Sequence, residues 1–191
     1  MKSPTSDAYG AIAKTFHWAM VLLVVVAWAS GTFGDGLSQG AGQDNCLRAH
    51  VWIGLTVLAL AAVRITWRIA NPPPKVVPTE FGRWLIEWTD PASRTMHYVL
   101  YVLLVVVPAF GIALLFARGH PLPLFGLAEI RSPWPADKAS ARNLETAHEI
   151  LANLLVILAL FHMLAALLHH WVFGDNTLKR MLPHSRNPNA D

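Results

Sequence analysis

Four apolar stretches of about twenty residues each constrain this chain more than any other feature. They run over about 12–33, 50–69, 97–117 and 147–171. Each is long enough to cross a hydrocarbon core of ~30 Å as a helix. Backbone groups in lipid must pair within their own segment, which favours helices over other forms. The sequence therefore predicts an all-α membrane protein, a four-helix transmembrane bundle, as one integral membrane domain over 1–191.

Composition agrees with lipid as the main solvent. Of 191 residues, 54% are apolar and only 14% are charged, where a soluble domain has about a quarter charged. The first stretch lacks a convincing small-residue cleavage site, so we expect it to be retained and not removed as a signal peptide. The single cysteine, Cys46, excludes an intramolecular disulfide, a Cys-rich metal site and c-type haem attachment. No basic block points to nucleic acid.

The distribution of Lys and Arg predicts the orientation. Ten of these residues lie in the terminal segments and the middle connection, and five lie in the other two loops. Because positive residues accumulate on the cytoplasmic side, we expect both termini in the cytoplasm.

The connections carry their own patterns. Residues 71–75 are Pro-rich and predict extended chain, and 80–89 alternate Trp with charges, which predicts a short helix on the membrane surface. The longest loop is expected over 118–143. Gly174 is the predicted stop of the fourth helix, and 177–182 is expected to form one interfacial turn. No repeat of fixed period is evident.

Four histidines fall at two matched depths. His148 and His162 are fourteen residues apart, about 40° short of four full turns and about 21 Å along a helix. Both therefore lie on one face of the fourth span. His17 lies at the depth of His162, on the expected cytoplasmic side, and His50 lies at the depth of His148, on the outer side.

Two pairs of facing imidazoles are what two bis-histidine haems require, since each iron takes one neutral imidazole on each axial side. Both axial positions are then filled, which favours electron transfer over oxygen binding. Small residues near the ligands would let a flat porphyrin approach the helices: Gly31, Gly54, Gly111, Ala165 and Ala166.

A histidine proton relay or a transition-metal transporter is the alternative without haem. Metal transport would be expected to add carboxylates or thiols within the spans. Only Glu145 and Glu149 lie near the entrance of the fourth span. An absorbance spectrum separates these two hypotheses.

The remaining intramembrane histidines leave two interpretations open. His169 lies seven residues after His162, on nearly the same face, and His97 begins the third span. Either residue contacts haem propionates or a second substrate, or it is an interfacial polar cap. Most tryptophans fall at predicted interfaces and fit an aromatic belt.

Several motifs resemble those of the bacterial cytochrome b561 family across nearly the whole chain. They are Phe16-His17-Trp18, Arg48-Ala49-His50, 64–74, Met96-His97-Tyr98, His148-Glu149 and, most specifically, 162–183. The resemblance implies four transmembrane helices in the bacterial inner membrane and two b haems. By position it implies axial ligands in the pairs His17/His162 and His50/His148.

The resemblance also implies a function. Some members are similar to superoxide oxidases, which oxidise superoxide outside and pass the electron to ubiquinone. Arg48 and Arg142, close in sequence to the outer ligands, are candidates for steering superoxide, although ordinary solvated loop charge explains either one as well. His169 is the first candidate to hold the quinone, followed by His97 and Lys75, with Trp67 and Trp171 as apolar walls.

The same architecture serves a second function, a cytochrome b subunit that takes electrons from a dehydrogenase or hydrogenase partner. The short outer loops and the lack of a large docking domain favour the stand-alone enzyme. Whether the chain forms a homo-oligomer, or binds a redox partner, stays open at this point.

Overall fold

Four long helices dominate the computed structural model, which describes residues 9–34, 36, 40–71, 83–174 and 176–182. They are α1 (Ala11–Gly34), α2 (Ala41–Ala70), α3 (Arg83–Ala117) and α4 (Lys138–Trp171). Each contains a segment long and apolar enough to cross a membrane, which in α3 is Pro91–Ala117. The four predicted spans are confirmed.

The helices form a closed ring around a narrow core. α1 packs on α2 and α3 on α4, and the ring is completed by contacts between α2 and α3 and between α1 and α4. The core consists of apolar side chains from all four helices: Met20, Val57, Ala61, Leu103, Leu104, Val107 and Leu155. Many other large apolar side chains point outward, such as Leu22 at 64% exposure and Phe161 at 57%. A surface this apolar is favourable in contact with lipid and unfavourable in contact with water.

The bundle has two distinct ends. We call the end with the α1–α2 and α3–α4 connections the hairpin end, and the end where α1 begins and α4 ends the termini end. A two-stranded antiparallel sheet, β1 (Leu122–Leu124) and β2 (Ala128–Ile130), lies at the hairpin end. At the termini end, a 3-10 helix (Lys179–Met181) follows α4, and the Trp18 indole donates to the carbonyl of Met181 at 2.9 Å.

Helix bounds differ from the sequence prediction where helices extend beyond the apolar core. α2 begins at Ala41 and α4 at Lys138, each nine residues before the predicted span, because polar residues continue a helix outside lipid. The cap of α4 is Asp137, whose carboxylate accepts from the backbone N–H groups of Ala139 and Ser140. Part of the loop predicted over 118–143 is therefore helix, and another part is the β1–β2 hairpin.

The residues predicted to form a short helix over 80–89 are helical from Arg83 on, but they belong to a longer helix. Residues 83–89 are the first turns of α3, which continues through Pro91. A proline removes one N–H and bends a helix, but α3 does not end there. The Pro-rich stretch after Asn71 lies outside the described residues.

The end of α4 agrees with the prediction. The helix ends at Trp171, and Gly174 has φ 65°, a left-handed conformation that glycine adopts without strain. A helical turn follows within 177–182, as expected.

Candidate cofactor site

At the hairpin end, His50 of α2 and His148 of α4 face each other across the bundle. Their ring centroids are 6.1 Å apart and their planes make an angle of 83°. Because α2 and α4 are diagonal neighbours in the ring of helices, this pair lies across the bundle interior.

Backbone carbonyls set the tautomer of both rings. His50 Nδ1 lies 2.9 Å from the Ala27 carbonyl oxygen, and His148 Nδ1 lies 3.0 Å from that of Val107. A carbonyl oxygen can only accept, so each Nδ1 carries the proton. Each Nε2 then has a free lone pair, the form in which imidazole binds a metal.

Two glycines give these rings their space. A Cβ on Gly31 would lie 3.1 Å from His50 Cε1, and a Cβ on Gly111 would lie 3.1 Å from His148 Cε1. Each glycine follows the accepting carbonyl by one helical turn. The two imidazoles thus rest on glycine backbone in the same way, in one case on α1 and in the other on α3. Gly54, also expected near the ligands, has no such neighbour within 4 Å.

At the termini end, His17 of α1 and His162 of α4 form the second pair. Their ring centroids are 6.4 Å apart, with planes at 77°. His97 of α3 is nearer to His162, with centroids 4.9 Å apart. The Nδ1 of His97 lies 2.6 Å from the carbonyl of Ser93 in its own helix.

A charged side chain joins the termini-end layer. Arg64 of α2 places Nη2 3.1 Å from His17 Nδ1, and its Nε donates to the Tyr101 hydroxyl at 3.1 Å. Its Cζ lies 5.8 Å from the centroid of the Tyr101 ring, and the Cζ of Arg68 lies 6.0 Å from the same centroid. A guanidinium can only donate, so His17 Nδ1 is an acceptor here, unlike Nδ1 of His50 and His148.

Ring separation indicates which histidines can share an iron. Metal–imidazole bonds of about 2 Å place two axial rings with centroids about 6 Å apart. The pairs at 6.1 and 6.4 Å match this separation, and the 4.9 Å between His97 and His162 is too short. The residues therefore fit two bis-histidine haems, with His97 as a neighbour of a ligand and not as its axial partner.

The two helix pairs resemble each other in sequence, which the search for a fixed period missed. Fourteen residues separate His17 from Gly31 in α1 and His97 from Gly111 in α3. The same spacing separates His50 from Arg64 in α2 and His148 from His162 in α4. The connections differ in length, so the repeat has no constant period. The sequence signal of this repeat is the shared spacing of fourteen residues, which also marks Arg64 as the counterpart of His162.

The other candidates lie farther from the paired histidines. Arg48 and Arg142 are exposed on α2 and α4 at the hairpin end, and Arg48 donates to Asn45 at 3.3 Å. Neither has a described contact with His50 or His148.

At the termini end, His169 packs its ring on Phe173, with centroids 5.2 Å apart. Trp67 lines a small cavity with Arg64, Arg68 and Tyr101. Trp171 is 74% exposed, and Lys75 lies outside the described residues.

Comparisons with known proteins find similar sequences along nearly the whole chain. Residues 8–184 match the family described as prokaryotic cytochrome b561. A probable superoxide oxidase, CybB, of Yersinia pestis is 33% identical over 93% of this chain and 97% of its own length. Cytochrome b561 homolog 2 of Escherichia coli is 31% identical over 95% of this chain and 94% of its own length. Cytochrome b562 of Cereibacter sphaeroides is 29% identical over 91% of this chain.

Proposed function

Because the chain belongs to the prokaryotic cytochrome b561 family of membrane haem b electron carriers, we propose that it holds two haems and oxidises superoxide with ubiquinone. The observation that carries the proposal is the pair of histidine layers, each with the ring separation of two axial ligands. His50 and His148 hold one haem, and His17 and His162 hold the other. A relative named probable superoxide oxidase, similar over nearly the whole chain, supports superoxide as the donor.

A bound haem would supply reversible one-electron chemistry at each layer. The chain's own contribution is to hold the four rings. At the hairpin end, the Ala27 and Val107 carbonyls keep the protons on Nδ1, so that His50 and His148 are ready to bind metal through Nε2. Glycine backbone holds the same rings in place.

The two histidine layers lie far enough apart for electron transfer between them to cross much of the membrane. His148 and His162 are fourteen residues apart on α4, which corresponds to about 21 Å along the helix. Superoxide loses one electron to become oxygen, and ubiquinone takes two electrons and two protons to become the quinol. Two superoxide ions are therefore consumed for each quinol.

We place the hairpin end outside the bacterial inner membrane and both termini in the cytoplasm, since Lys and Arg are more numerous at the termini end. Arg48 and Arg142 then lie on the outer side, where their positive charge attracts a small anion. Ubiquinone binds near the termini end, with His169, His97 and Lys75 as the candidates for its polar contacts.

The test uses the purified chain in detergent. We expect two haem b per chain, rapid haem reduction by superoxide, and reoxidation on addition of ubiquinone. A purified chain that contains no haem would refute the whole proposal. Two haems that superoxide reduces only slowly would instead support the carrier function, with a protein partner as donor.

A further inference from the structure

The termini-end layer contains three histidines and one arginine. In the internal repeat, His97 of α3 is the counterpart of His17 of α1, and Arg64 of α2 is the counterpart of the ligand His162 of α4. The contacts repeat as well, because Arg64 touches His17 and His162 touches His97. Arg64 thus occupies the position that a ligand occupies in the other helix pair.

The guanidinium of Arg64 is partly buried and fixed by two neutral groups. It donates to the Tyr101 hydroxyl and to His17, both at 3.1 Å, and stacks on the Tyr101 ring. Among the residues that the structure describes, no carboxylate forms an ion pair with it. Its positive charge is therefore uncompensated within the described bundle, where the dielectric constant is low and charge acts strongly.

We propose that the positive charge of Arg64, which lies beside His17, gives the termini-end haem a higher reduction potential than the hairpin-end haem. The inference rests on the proposed function, because it assumes a haem at each layer. An oxidised bis-histidine haem has one more positive charge at its centre than a reduced one. A cation beside one ligand therefore disfavours the oxidised form. Ligation of His17 through Nε2 places a proton on its Nδ1 and ends the hydrogen bond from Arg64. The bond to the Tyr101 hydroxyl still anchors the guanidinium beside the ring.

The hairpin-end ligands have the opposite environment. The Nδ1–H groups of His50 and His148 donate to the carbonyls of Ala27 and Val107. Such hydrogen bonds raise the basicity of a ligand, which stabilises the oxidised iron. Hydrogen bonds to the axial ligands are among the main determinants of haem potential. Both effects make transfer from the hairpin end to the termini end favourable, the direction required if superoxide is the donor and ubiquinone the acceptor.

The test measures the termini-end haem alone. In the background of His148→Ala, which removes a hairpin-end ligand, redox titration follows the remaining haem with and without Arg64→Gln. We expect a clear downward shift of its midpoint potential, and recovery of most of the shift with Arg64→Lys. Arg68→Gln is the matched control: it removes a charge that stacks on the same Tyr101 ring but makes no described contact with His17, so its shift should be smaller.

The outcomes separate this inference from the proposed function. Two haems in the unaltered chain, with no shift or an upward shift in Arg64→Gln, would overturn the inference and leave the function intact. Absence of haem in the unaltered chain would overturn the function itself. Should Arg64→Gln fail to retain haem, Tyr101→Phe carries the test. It keeps the charge but removes its anchor, so a smaller downward shift supports the inference and an unchanged potential overturns it.

Discussion

The two histidine layers share a ring separation but differ in what contacts Nδ1. At the hairpin end both rings donate to helix carbonyls and rest on glycine, and the two histidines are counterparts in the internal repeat. At the termini end the paired rings are not counterparts, and His17 contacts a cation. The hairpin-end pair is therefore held by backbone groups on both sides. The termini-end pair contacts a charged side chain, Arg64.

Removing a ligand from one layer should give the largest effect. We expect His148→Ala to lose the hairpin-end haem and His162→Ala to lose the termini-end haem, because one axial bond remains in each case. Haem per chain, measured from the absorbance of purified protein, should fall by about half in either variant. His120→Ala, at an exposed histidine in the α3–α4 connection, is the control that should keep both haems. Full haem content in His148→Ala or His162→Ala would refute the ligand assignment.

Adding a side chain at Gly31 or Gly111 should weaken haem binding only at the hairpin end. Gly111→Ala puts a Cβ 3.1 Å from His148 Cε1, and overpacking of this kind costs about 1–3 kcal/mol. We expect about tenfold or greater weakening of haem retention at the hairpin end, with the termini-end haem unchanged, as measured by transfer of haem to apomyoglobin.

Gly31→Ala should match Gly111→Ala, because the two glycines are counterparts in the internal repeat. Gly42→Ala is the control, since a Cβ at Gly42 meets no atom within 4 Å. Equal weakening of both haems in Gly111→Ala, or unequal effects of Gly31→Ala and Gly111→Ala, would contradict the account of the hairpin-end layer.

Exposed charge should have a smaller effect, on the rate of haem reduction by superoxide, and only at the hairpin end. If Arg48 and Arg142 steer superoxide, haem reduction by superoxide should slow as ionic strength rises, because exposed charges are screened beyond about 10 Å at 0.1 M salt. The double variant Arg48→Gln/Arg142→Gln should be a few-fold slower at low salt and less sensitive to salt. Arg94→Gln, exposed at the other end, should behave like the unaltered chain. A rate that does not depend on salt would remove steering from the proposal.

The sequence was most informative where one residue type at a fixed spacing carried the argument. The four spans followed from apolar length, and the histidine pairs followed from helical geometry, since His148 and His162 must share a face of α4. The ends of α2 and α4 could not be read in the same way, because nothing apolar marks a helix that continues into water. The fourteen-residue spacing from His50 marks Arg64 in the sequence, but its contacts with His17 and Tyr101 join three helices and depend on packing, so they could not be predicted.

The smallest expected effect concerns the cap that supports the hairpin-end layer. Asp137 accepts from Ser140 N–H at 2.9 Å, and its own N–H donates to the Ala117 carbonyl at 3.0 Å, which joins the end of α3 to the start of α4.

Hydrogen bonds from Ser140 and Ala139 hold the pKa of Asp137 below its ordinary value. A lowered pKa in the folded state means that the cap stabilises the fold above the ordinary pKa and that this stability is lost as pH falls through the lowered value. Asp137→Ala should therefore lower the melting temperature slightly at pH 7, and the difference should shrink as the pH falls below the ordinary carboxyl pKa of about 4. Asp137→Asn keeps a capping oxygen without a titrating group, so its melting temperature should stay close to that of the unaltered chain at pH 7. A deficit of Asp137→Ala that stays constant with pH would show that the carboxylate charge contributes nothing to the stability of the fold.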